Sequence, residues 1–135
     1  MSVQHQQIDW RKLLESAGSY PVEAFSFVRE GLTYTADRVH HDIEMSGELD
    51  RHVTGQQLCL GLRDFAIGRY GLMAPVVLEH WNILRTDDFG RIVFAMINAG
   101  LMSKTADDSM EDFRGVFDFS EAFSREELLA HIGAG

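Results

Sequence analysis

The sequence predicts a mainly α domain of about six helices, with a short β-hairpin or strand near residues 103–119, in winged-helix order. Three observations carry this. Apolar residues recur at steps of three and four over most of the 135 residues, the spacing of a helix buried on one face. Helix starts and stops are marked by capping residues, single glycines and two prolines. Only one stretch, Phe113-Arg114-Gly115-Val116-Phe117-Asp118-Phe119, alternates apolar and polar residues as a strand would.

The elements follow in order. Asp9 caps a short helix with its stripe on Trp10, Leu13, Leu14 and Ala17, and Gly18 stops it. Pro21 then opens a helix of about six turns through Val22, Phe25, Val28, Leu32, Ala36, Val39 and Ile43. Phe27 and Tyr34 fall off that stripe, which calls for a second contact or a dimer surface. Gly31 costs about 1 kcal/mol against Ala inside a helix and so points to a close crossing. Thr54 and Gln57 form a capping box, with Val53 stapled to Leu58, and that helix runs to Gly71. Pro75 opens another, with Val77, Trp81 and Leu84 on one side and Val76, His80 and Ile83 beside them. Arg85 and Thr86 alone separate it from a helix begun by Asp87-Asp88 and ended at Gly100-Leu101. Ser124, Glu127, Phe123 and Leu128 repeat the box-and-staple pattern in a last helix stopped by Gly133. No repeat or long linker divides the chain, so residues 1–135 read as one domain.

Composition narrows function. A formal charge of −9 opposes binding to phosphate backbones and anionic lipid. No apolar run approaches the roughly 20 residues needed to span a bilayer, and no apolar leader is present, so the expectation is a cytoplasmic protein without membrane contact. The single cysteine, Cys59, excludes disulfide frameworks and thiolate metal clusters within one chain and reads as a small core residue. Nucleophile elbows are missing. Gly68-Arg69-Tyr70-Gly71 ends a helix where a phosphate loop would begin one, and Gly61 and Gly68, two turns apart, read as close packing.

Three clusters could carry function. Asp37, His40, His41 and Glu44 lie at helical spacing, with His52 and the acids Glu48 and Asp50 nearby. Imidazole with carboxylate suits a divalent transition metal, against the plain reading of a solvated helix face. Glu79 and His80 point about 100° apart on a helix and cannot act on one atom, so His80 reads as a half-buried, hydrogen-bonded residue. The third cluster is acidic. Residues 86–121 hold eight acids against three bases. A DNA reader would place Lys and Arg where this chain has Asp87 and Asp88 at a helix start and Asp107, Asp108, Glu111 and Asp112 near a wing tip. Helix-dipole complementarity accounts for the first two, and the expected surface for a protein partner is the other four together with Asp87 and Asp88 at that helix start.

Finally, Tyr20-Pro21-Val22-Glu23-Ala24-Phe25, Arg51-His52-Val53-Thr54-Gly55-Gln56-Gln57-Leu58, Gly68-Arg69-Tyr70-Gly71, Asp87-Asp88-Phe89-Gly90-Arg91-Ile92-Val93-Phe94, Glu111-Asp112-Phe113 and Val116-Phe117-Asp118-Phe119 together resemble a family of conserved hypothetical proteins of planctomycete and verrucomicrobial bacteria. The resemblance implies a cytoplasmic bacterial protein and transfers no activity or ligand to any position. The sequence-level expectation is a non-catalytic protein-interaction or regulatory module with no cofactor. A metal-binding protein or metal-dependent enzyme stands as the alternative, and a nucleic-acid binder as the third reading. A homo-oligomer is left open.

Overall fold

The structure is a computed structural model and describes residues 1–3, 11, 13, 15, 18–40 and 52–133. The chain is mainly helical. Strand β1 (Ser2–Val3) is followed, among the described residues, by helices α1 (Val22–Val39), α2 (Gly55–Tyr70), α3 (Ala74–His80) and α4 (Thr86–Asn98). Strand β2 (Met102–Ser103) and short helices α5 (Phe119–Ala122) and α6 (Arg125–Gly133) complete it. Single 3-10 turns occupy Gly71–Met73 and Met110–Phe113.

Helices α1 and α2 form the central pair, and two glycines set their distance. A Cβ on Gly31 would overlap the Leu62 side chain, and one on Gly61 would lie 2.7 Å from Thr35 Cβ. The close crossing expected at Gly31 is present, and Gly61 makes a second, whereas Gly68 has open space beside it. Thr35 fits this notch because its hydroxyl turns back to donate to the Gly31 carbonyl at 2.7 Å. The off-stripe aromatics have their second contact. Phe27 is buried against Phe65, Tyr70 and Trp81, and Tyr34 packs on Phe65.

The start of α2 is as the sequence predicts. Gln57 N–H donates to Thr54 Oγ1 at 3.1 Å, Thr54 N–H donates to Gln57 Oε1 at 2.9 Å, and Val53 and Leu58 are both fully buried. At α6, Glu127 N–H donates to Ser124 Oγ at 3.2 Å, and Phe123 and Leu128 are buried. Cys59 is a core residue, and burial, assisted by the charge of Asp87, pushes its thiol up to about 12.

Elsewhere the structure corrects the sequence. Helix α1 is capped by His40 after Val39, short of the six turns expected, and Ile43 lies outside the described residues. Helix α3 ends at His80, and its inner face is Ala74 and Leu78. Ile83 reaches the core only after Asn82 turns through a left-handed φ of 63°, so His80 lies off any buried stripe and is exposed.

The largest correction is at residues 103–119. The strand there is short: Met102 and Ser103 pair antiparallel with Val3 and Ser2. Residues 110–122 hold a 3-10 turn and a short helix where the alternating phenylalanines predict a hairpin, so no two-stranded wing follows α4. Gly90 explains it. A Cβ there would sit 2.8 Å from Phe113, so the bare backbone of α4 admits the Phe113 ring to the core, edge-on to Phe94. Thr86 then pins the segment: its hydroxyl donates to the Phe113 carbonyl at 2.7 Å and accepts from Val116 N–H at 3.1 Å.

Candidate interaction site

The six acids assigned to a partner surface divide into different kinds. Asp88 and Asp108 are buried, Asp87 and Asp112 are half-buried, and only Asp107 and Glu111 are exposed. The inward ones serve local turns. Asp88 Oδ2 accepts from Arg85 N–H at 3.1 Å, Asp108 Oδ2 from Thr105 N–H at 2.9 Å, and Asp112 Oδ2 from Ser109 N–H at 3.1 Å. In each case the carboxylate reaches back three residues to satisfy a backbone donor that the turn leaves open. The acidic run that charge counting marks as a docking face is therefore largely a set of turn caps. The signal was present in the sequence as Thr105-x-x-Asp108 and Ser109-x-x-Asp112.

Asp88 does more than cap. Its Oδ2 also accepts from Leu84 N–H at 2.8 Å, while Oδ1 accepts from the Tyr20 hydroxyl and from Arg91 at 2.6 Å. Burial alone would push this carboxyl up. The hydrogen bonds from Tyr20, the Leu84 and Arg85 amides and Arg91 outweigh it and hold the group below the ordinary carboxylate range. Tyr20 is pushed up to about 12, by burial and then by Asp88. An ionised Asp with all its donors in place, beside a tyrosine that keeps its proton, is a fixed clamp and not an acid–base pair poised near neutrality.

The clamp fixes the Leu84-Arg85 backbone in the turn between α3 and α4, and the two side chains point outward. Leu84 is 57% exposed, and Arg85 is exposed with no hydrogen-bonding or ionic partner for its guanidinium among the described residues. Both residues form a ridge between two grooves. One, of about 1010 Å³, runs past Tyr20, Asn82, Arg91 and Asn98. The other, of about 830 Å³, is floored by Phe117 and Phe119 and edged by Asp87, Arg114 and Asp118. Its floor is continuous with the core: Phe117 stacks on Phe119 at 5.6 Å, and Phe119 packs on Phe89 of the core at 5.8 Å. Two edge acids are aimed at backbone, Asp87 accepting from Gly115 N–H at 3.4 Å and Asp118 from Ser120 N–H at 2.7 Å.

The metal candidates are not brought together where they are described. Asp37 is exposed on α1, while His40, at the C-cap, turns inward and donates through Nε2 to the His52 carbonyl. His52 faces Asp108 at 3.1 Å and the Met1 amino group at 2.7 Å. His41, Glu44, Glu48 and Asp50 lie outside the described residues, and among the described residues no three His, Cys, Asp or Glu side chains are placed to share a cation. No helix among them is long and apolar enough to cross a membrane.

Sequence reading missed Tyr20, Leu84, Arg85 and Arg91. Arg85-x-x-Asp88 carries the same three-residue cap spacing, but the Tyr20–Asp88 bond joins residues 68 apart and has no local signature. Comparison with protein-family models, curated proteins and solved structures finds no match to this chain.

Proposed function

We propose that the chain is a non-catalytic protein-interaction module whose contact surface is the Leu84-Arg85 ridge with the start of α4 and the Phe117–Phe119 groove. The observation that carries this reading is a large apolar side chain held in water on a clamped backbone. Exposing leucine forgoes favourable burial, and the buried Asp88 beneath it fixes its position before any partner arrives. Binding energy concentrates on a few residues near the centre of an interface, arginine prominent among them, and Arg85 stands beside this leucine between the two concavities. The exposed acids Asp107 and Glu111 are left as solvated positions outside that centre.

The test is a Leu84→Asp variant compared with wild type for proteins that co-purify from the native cell. Because Leu84 is exposed, the variant folds with an unchanged melting temperature, and its partner set is lost. Retention of the full set by a folded variant would remove this surface from consideration.

A further inference from the structure

We infer that the partner element seated on the Leu84-Arg85 ridge is a short acidic–apolar peptide segment, its carboxylate on Arg85 and its apolar side chains over Phe117 and Phe119. This rests on the interaction reading above and adds the chemistry of what is bound.

The argument begins with which charges are already engaged. In this region Arg91 pairs with Asp88 at 2.6 Å and Arg114 with Glu111 at 3.2 Å. Asp87 and Asp118 are turned to the backbone amides of Gly115 and Ser120. Arg85 is left over, a fork of donors with no acceptor among the described residues, at the rim of an aromatic-floored groove. A guanidinium in that position matches a carboxylate bidentately, and the neighbouring apolar floor lowers the local dielectric and strengthens the pair. The groove, about 830 Å³, has room for two or three side chains. Asp118 and Asp87, also in the lining, repel an acid placed beside them, which leaves Arg85 as the position for the carboxylate.

Nucleic acid is disfavoured by the same inventory. Phosphate-backbone binding needs several uncommitted cations in a row, whereas this surface offers one, enough for a single carboxylate.

The experiment uses fluorescent, end-blocked synthetic peptides with a single Asp or Glu at one end of a short run of Leu and Phe, and matched peptides with Lys replacing the acid. Wild-type protein binds the acidic set in anisotropy titrations, and the Lys set binds at least about tenfold more weakly, the factor that losing one charged hydrogen bond produces. Arg85→Glu reverses the preference, and Leu84→Asp weakens both sets. Arg69→Glu on α2, an exposed arginine that lines neither groove, leaves the preference unchanged. Equal or absent binding of the two peptide sets by wild type overturns the inference. So does Arg85→Glu with an unaltered preference, or a duplex DNA oligonucleotide that binds wild type more tightly than either set. If Leu84→Asp strips the native partners while Arg85→Glu keeps them, the peptide chemistry fails and the interaction surface stands.

Discussion

Asp88 and Asp108 are two buried aspartates in equivalent local positions, each closing a turn three residues back, and they do different things. Asp88 gathers donors from three segments, the Tyr20 loop, the 84–85 turn and α4. What lies above it is an exposed leucine and an uncommitted arginine. Asp108 gathers Thr105 N–H, the Met1 amino group at 3.2 Å and the His52 ring at 3.1 Å. Those neighbours turn inward, joining the β1–β2 pair to the start of α2. One buried carboxylate displays a surface, and the other closes the fold. Counting charge along the sequence treats them as the same.

Three measurements break or sharpen that contrast. The largest effect belongs to Asp88→Ala, which strands two backbone amides, a buried hydroxyl and a guanidinium. A loss of about 3–4 kcal/mol in urea unfolding is expected, with faster hydrogen exchange at Leu84 and Arg85 than elsewhere. Asp108→Ala should cost less, about 2 kcal/mol, and should leave exchange at Leu84 unchanged. A larger loss at 108 than at 88 would overturn the ranking.

The next effect is on pH. Burial pushes the Asp108 carboxyl up, but the Thr105 amide, the Met1 amino group and His52 together bring it below its ordinary value, as the four donors do at Asp88. A carboxyl whose folded pKa is depressed contributes stability that is full above its unfolded pKa, about 3.9, and lost as pH falls through the folded value. Wild-type stability should therefore be level in this respect above about pH 5 and fall below about pH 4. Asn at either position should flatten that acid limb, which urea unfolding between about pH 2.5 and pH 7 will show. An unchanged limb in both variants would contradict the assignment of these carboxylates as the acid-sensitive pair.

The smallest effect belongs to the outward acids. Asp107→Lys and Glu111→Lys should each change stability by no more than about 0.5 kcal/mol, because neither side chain is buried. A cost above about 1 kcal/mol for either would mean that the 105–113 segment depends on its whole charge pattern and not on its inward members.

The helices were legible because their signals are local. Thr54 with Gln57, Ser124 with Glu127, and Gly100 after Asn98 each sit within a turn of what they control, and sequence spacing displays them directly. The α1–α2 crossing was half legible: Gly31 suggested a close approach, but its partner depth depends on Thr35 meeting Gly61 across 26 residues. The aromatic segment was misread for a physical reason. Phe113, Phe117 and Phe119 are spaced for a strand, yet the notch at Gly90 and the hydroxyl of Thr86 pull Phe113 out of that alternation. Neither residue lies in the segment. The ridge was missed for the same kind of reason. Leu84 reads as a helix-stripe residue until the left-handed turn at Asn82 brings Ile83 inward and leaves Leu84 outside.

The Gly61–Thr35 notch has a consequence for recognising relatives of this chain. The two positions share one fixed volume between helices that cannot separate without disturbing the packed aromatics around Phe27. Growth at one must be matched by shrinkage at the other: a Cβ at 61 would meet the Thr35 hydroxyl and Cβ, so Ala at 61 should be found with Gly at 35, and bulk at both should be absent. Such paired change is detectable across chains too diverged for overall similarity to register, and it supplies a two-residue signature by which distant members of the same fold can be gathered.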